Sequence, residues 1–127
     1  MNLRILAIVS AVYDLLLAVS MLFAAPLVAR LMDAPPPVPL LNAQLNGLFT
    51  LSLGVGYFWA LRDEPTLRGY LWIFNVLAKG LGAVLILVDH FTQGSPATFL
   101  ALVASDGTLA LASLWLLTRG TRSATGQ

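Results

Sequence analysis

Length, composition and charge indicate a membrane protein. Of the 127 residues, 58% are hydrophobic and only 10% are charged, whereas a soluble domain carries about 25% charged residues. A net charge of +1 provides no basic surface, so nucleic-acid binding is not expected. The chain has no cysteine and one histidine, His90, so we expect neither a metal site nor a redox cofactor.

Four apolar stretches follow one another when charges and prolines are taken as boundaries. They cover about residues 3–25, 40–61, 69–88 and 96–118, and each can cross a hydrocarbon core of about 30 Å as a helix. No segment shows the sustained alternation that a membrane strand requires. The sequence therefore predicts an all-α fold, a four-helix transmembrane bundle that forms one domain over residues 1–127.

The connectors between these stretches are short and interrupt helices. Residues 33–39 include four prolines and cannot continue a helix, and residues 62–65 are typical of a charged turn. Before the fourth stretch, Ser95 and Pro96 predict a serine cap followed by a proline in the first helical position.

The first stretch has a second interpretation, a cleaved signal peptide. Arg4, an apolar run and the small residues up to Ala29 imitate the three parts of such a signal. However, the run is longer than the 7 to 15 residues typical of a signal, and it contains Asp14. Both features favour a retained membrane span.

The arginines indicate the orientation of the spans. One side of the predicted bundle holds Arg30 alone, and the other side holds five arginines: Arg4, Arg62, Arg68, Arg119 and Arg122. The positive-inside rule therefore predicts that both termini are cytoplasmic. Five aromatic residues lie near this side, as expected of rings anchored among headgroups: Tyr57, Trp59, Tyr70, Trp72 and Trp115.

Three charged residues lie inside the predicted spans: Asp14, Lys79 and Asp106. A charge at the bilayer centre costs at least about 2.5 kcal/mol, so such residues normally face the protein interior and mark a pathway or a site. Counted from the cytoplasmic arginines at about 1.5 Å per residue, all three lie about 15 to 20 Å deep. We therefore predict that they form one cluster of two acids and a lysine.

Other polar residues extend this cluster at helical spacing. Asn42 and Asn46 share a face of the second span, and Asn75 lies one turn before Lys79. Tyr13 adjoins Asp14, and a phenol at this depth needs a hydrogen-bond partner. We predict a ligand-binding chamber lined by Asp14, Asn46, Lys79 and Asp106, with Tyr13, Asn42 and Asn75 around it.

This chamber suggests a site for a lipophilic small molecule or lipid that enters from the bilayer. Asp14 or Asp106 could act as a general acid or base, while Lys79 or Tyr13 stabilises developing negative charge. These four residues are the catalytic candidates, and an isomerisation would need nothing more. In the structural alternative, Lys79 neutralises an aspartate only to hold the helices together.

Two other classes of function stay open. Four helices in little more than 100 residues, with an acid in the first, resemble the outline of the small multidrug resistance family, which implies a homodimeric proton-coupled exporter. Those proteins carry a glutamate where this chain has Asp14, and Lys79 and Asp106 depart from their pattern. The compact size also fits an accessory subunit of a larger membrane complex.

The segment from Asn46 to Tyr57, the turn at residues 62–65 and the segment Ala78-Lys-Gly-Leu-Gly82 resemble the DoxX-like group of small four-helix bacterial membrane proteins. The resemblance covers about a third of the chain. It implies a four-helix fold and a multi-pass protein of the bacterial inner membrane. It carries no active-site assignment.

Overall fold

The computed structural model describes the backbone of residues 1–125 and the side chains of residues 1–120. Within this range the chain is helical and has no strand, which confirms the all-α prediction. The side chain of Arg122, one of the predicted cytoplasmic arginines, lies outside the described residues. The five helices are α1 (Leu3–Phe23), α2 (Ala25–Leu31), α3 (Leu40–Ala60), α4 (Glu64–Gln93) and α5 (Leu100–Thr125).

Three segments are long and apolar enough to cross a membrane. They are α1, α4 and Ala97–Gly120, which contains most of α5. α3 is as long as α1, with 21 residues, but it is not among the three. Asn42, Gln44 and Asn46 lie in its first two turns and lower its hydropathy.

α4 extends beyond the predicted span 69–88 at both ends. Asp63 caps it, because its carboxylate accepts a hydrogen bond of 2.8 Å from the backbone N–H of Thr66. Hydrogen bonds from Thr66 hold the pKa of Asp63 below its ordinary value. Pro65 lies in the first turn, so the predicted charged turn is a helix start. At the other end, Gly94 stops the helix with a left-handed φ of 77°.

Two other boundaries differ from the predicted spans. α1 ends at Phe23, and the short helix α2 begins at once with Pro26 in its first turn. Before α5, a 3-10 turn over Ala97–Phe99 replaces the predicted serine cap. Ser95 instead accepts a hydrogen bond of 2.6 Å from Nδ1 of His90 through its backbone carbonyl.

A π-helical segment, Leu71–Lys79, occupies the middle of α4. Such segments widen the helix and occur frequently at functional sites. Every fourth residue of this one is buried, at Leu71, Asn75 and Lys79. The segment thus directs one amide and one ammonium into the protein.

The long helices pack as two antiparallel pairs, α1 with α3 and α4 with α5. α1 and α3 approach most closely at glycines. A Cβ atom at Gly54 would lie 2.9 Å from Cδ2 of Leu15, and one at Gly47 would lie 3.1 Å from the carbonyl oxygen of Ala18. α4 and α5 are joined at one end, where the Arg68 guanidinium donates a hydrogen bond of 2.8 Å to the carbonyl of Leu117.

Candidate functional site

A buried ion pair joins α1 to α4. Nζ of Lys79 donates a hydrogen bond of 2.5 Å to Oδ1 of Asp14. The Lys79 side chain is 9% exposed and that of Asp14 is 2% exposed. The predicted cluster therefore contains a true pair, and Asp14 is the acid that binds the lysine.

Tyr13 and Asp106 complete a charged layer around this pair. Tyr13 shares a hydrogen bond of 2.7 Å with the hydroxyl of Ser105 on α5, and Nζ of Lys79 lies 5.3 Å from the centre of the Tyr13 ring. Asp106, also on α5, lies within electrostatic range of Tyr13 and Asp14. We call Tyr13, Asp14, Lys79 and Asp106 the charged layer.

The charged layer leaves two carboxylate oxygens without a hydrogen bond. They are Oδ2 of Asp14 and Oδ1 of Asp106, and both atoms are buried. Buried polar atoms are nearly always hydrogen-bonded, so each exception requires an explanation. If all three charged groups are ionised, two carboxylates and one ammonium give the layer a net charge of −1.

A second polar layer lies one helical turn from the charged layer, towards the N-terminal ends of α1 and α4. The Asn75 amide donates hydrogen bonds of 2.8 Å to Ser10 and 2.9 Å to Ser113, and its carbonyl accepts one from the Tyr57 hydroxyl. Ser113 donates in turn to the carbonyl of Leu109. We call Ser10, Tyr57, Asn75 and Ser113 the amide layer. All four side chains are fully buried.

An apolar cavity of about 390 Å³ lies beside the charged layer, on the side away from the amide layer. Its walls come from α1, α2, the proline-rich segment and the start of α5, and include Leu17, Met21, Val28, Met32, Phe99 and Leu102. Of the described residues that line it, Asp106 alone has a polar side chain. Asp106 therefore belongs to both the charged layer and the cavity.

The structure does not bring Asn42 and Asn46 to this site. Both are exposed on α3, whereas the buried face of α3 contains Gly47, Gly54 and Tyr57. The reason is steric, because α1 approaches α3 closely at Gly47 and Gly54, where a Cβ atom would crowd α1. The predicted face of α3 is thus corrected, while Tyr13, Asp14, Asn75, Lys79 and Asp106 lie in the two layers.

Sequence reasoning placed Tyr57 at the membrane surface, but the side chain is fully buried and bonds to Asn75. It also missed Ser105 and Ser113. A signal for Ser113 was present, because seven residues after Asp106 is the same face of a helix. The sequence signal that set Tyr57 apart from the exposed Trp59 was its helical spacing from Asn42 and Asn46.

The charged layer has the groups that proton transfer needs. Asp106 lines the cavity and has one oxygen without a hydrogen bond, and a phenol and an ion pair lie near it. Among the described residues, no group of three His, Asp or Glu side chains could hold a metal ion. The side chains of the charged layer can supply hydrogen bonding, charge pairing and general acid or base action.

Comparison with known proteins gives no relative. No family model matches the sequence, and no curated protein or solved structure matches it significantly.

Proposed function

We propose that this protein binds a lipophilic small molecule in the apolar cavity, with Asp106 as the polar contact. The protein is then a four-span bundle of the bacterial inner membrane, with α3 as the fourth span and both termini cytoplasmic. The five arginines on one side support this orientation. Ligand entry from the bilayer fits a cavity whose walls are apolar.

The single observation that carries the proposal is that Asp106, whose Oδ1 has no hydrogen bond, lines an apolar cavity. A packing role would leave this oxygen with an internal partner, as the amide layer has for Asn75. Ligand sites typically combine apolar walls with a few polar groups, in volumes of about 300 to 1,000 Å³. The cavity of about 390 Å³ meets both conditions.

The same geometry supports acid or base chemistry on the bound molecule. Asp106 is the group in position to exchange a proton with the ligand, and Tyr13 lies near it. Asp14 and Lys79 are already bonded to each other, so we assign them to shaping the field around Asp106. An isomerisation, in which one proton leaves and another returns, is the reaction that these groups serve best.

Native mass spectrometry on protein extracted gently from its own membrane tests the proposal. We expect a defined mass that is not a phospholipid on the wild-type protein, and its loss in Asp106→Asn. The matched control is Asp89→Asn, which makes the same chemical change at an exposed acid of α4. Wild-type protein that carries no such mass, or an equal loss in both variants, would contradict the proposal.

A second candidate function is a homodimeric proton-coupled exporter. The observation that favours it is the exposed pair Asn42 and Asn46 on α3. In a bilayer, amide side chains on a helix surface are stabilised by hydrogen bonds to another helix. The same mass spectra measure stoichiometry, and an empty homodimer would favour this candidate over the ligand site.

A further inference from the structure

We propose that the ligand is a lipophilic cation, an amine whose ammonium group pairs with Asp106 while its apolar body fills the cavity. The inference rests on the proposed binding function and specifies the chemical class of the molecule. The charge balance of the charged layer and the composition of the cavity walls support this class.

The charge balance of the layer is unequal. Lys79 is the one cation in it, and its ammonium contacts Asp14 at 2.5 Å. The described side chains contain two salt bridges, this one and the exposed pair Arg62 with Asp63. Asp106 takes part in neither, so its charge lacks a protein counter-ion.

Arg30 is the arginine nearest in sequence to the residues that line the cavity, and it does not supply this counter-ion. Arg30 follows two wall residues of α2, Val28 and Ala29, but its side chain is exposed. The Asp106 side chain is only partly exposed, and a bound cation would supply the ionic partner that its carboxylate lacks. An anion would be repelled by Asp106.

The cavity adds an apolar body to this requirement. Apart from Asp106, the described residues that line it are aliphatic, aromatic, methionine or proline. A small inorganic cation that entered the cavity would therefore lose its hydration water, and on most sides no protein oxygen would replace that water. A molecule with one ammonium group and a hydrocarbon body matches both the carboxylate of Asp106 and the apolar walls.

A neutral ligand makes a different prediction. If Asp106 is protonated, it donates a hydrogen bond to a carbonyl or hydroxyl group, and a charged head gives no advantage. The two classes are thus separated by comparing ligands that have the same hydrocarbon chain and differ only in the head.

The experiment measures binding of dodecylamine and 1-dodecanol to the full chain in phosphatidylcholine nanodiscs at pH 7. Binding to empty nanodiscs is subtracted. We expect saturable binding of both probes, with dodecylamine at least about tenfold tighter. In Asp106→Asn the two affinities should lie within about twofold of each other, and Asp89→Asn should keep the wild-type ratio.

The variant Val28→Trp, which fills the cavity with a larger side chain from α2, tests whether the probe binds in this cavity. Equal affinities for both probes in wild type, abolished by Val28→Trp, would overturn the cationic class and leave the lipophilic site standing. Absence of saturable binding in wild type, or binding unaffected by Val28→Trp, would overturn the site and the inference together. The wild-type affinity ratio decides the class even if a variant fails to fold.

Discussion

The amide layer and the charged layer lie one helical turn apart and differ in how their polar atoms are satisfied. In the amide layer, Asn75 bonds to Ser10, Tyr57 and Ser113, and all four side chains are fully buried. In the charged layer, two carboxylate oxygens are buried and have no partner. The same four-helix interior therefore holds one complete polar network and one incomplete network.

The difference separates a structural role from a binding role. A complete network stabilises one arrangement of helices, because every donor has its acceptor. An incomplete network costs stability, and proteins retain such costs where function requires them. Only the incomplete layer borders the cavity. The predictions below test this division, in order of decreasing effect on stability.

Loss of the ion pair should have the largest effect. Lys79→Met leaves Asp14 buried without its cation, and we expect it to lower the free energy of unfolding by about 3 to 5 kcal/mol. Adding Asp14→Asn should recover part of this loss, because the orphaned charge is gone. Unfolding in mixed micelles measures both variants.

The matched control for this pairing is Lys79→Met with Asp106→Asn. Because Asp14 still lacks its cation in that double variant, it should recover less than the double variant that changes Asp14. Equal recovery by the two acids, or strictly additive losses for Asp14 and Lys79, would show that the pairing with Asp14 is wrong.

Removal of the central amide should have the next largest effect. Asn75→Ala deprives the hydroxyls of Tyr57 and Ser10 of their buried partner, and we expect a loss of about 2 kcal/mol. Ser113→Ala should cost less, since its hydroxyl also bonds to its own helix at Leu109. Thermal unfolding of both variants in detergent checks this order, and a larger loss for Ser113→Ala would contradict it.

The Tyr13 hydroxyl should contribute less than Asn75. Tyr13→Phe removes one hydrogen bond to Ser105 and keeps the ring over Lys79. Ser105 retains a bond of 3.0 Å to the carbonyl of Ala101, so we expect a loss of about 1 kcal/mol or less. The same thermal series measures it. A loss of stability as large as that of Asn75→Ala would show that Tyr13 has a structural role, like the residues of the amide layer.

Asp106→Asn should leave the stability of the ligand-free protein within about 0.5 kcal/mol of wild type, or raise it. The change keeps the shape of the side chain and removes a charge that has no protein partner. Stability measured after exhaustive detergent washing, with Asp89→Asn as the control, tests this. A large loss specific to Asp106→Asn would assign Asp106 a structural role.

Much of the fold was predictable because charged residues and prolines delimit apolar runs. The span 40–61 agrees with α3 to within one residue. The ends of α4 were missed because hydropathy records only apolar residues, whereas Asp63 and Gly94 define the helix by capping. α2 was missed because Pro26 was taken as the boundary that ends the first span, whereas it lies in the first turn of a new helix.

The candidate site was predictable where charge alone decides burial. Asp14, Lys79 and Asp106 stand out in apolar surroundings, and the structure places them in one layer. The pairing of Lys79 with Asp14 depends on helix packing, which one sequence does not encode in its spacing. Asn42 and Asn46 were misplaced for the same reason, because close packing at Gly47 and Gly54 decides which face of α3 turns inward.

The π-helical segment of α4 makes the ion pair depend on chain length as well as on residue type. Each residue of an α-helix turns the chain by about 100°, and a residue of a wider π-helical segment turns it somewhat less. Deleting one residue between Leu71 and Lys79 would therefore rotate the rest of α4 by most of that angle relative to α1. Lys79 would then lose Asp14, although every charge and nearly all the hydropathy would be preserved. A single-residue deletion here should thus mimic Lys79→Met, while the same deletion in the proline-rich connector should not.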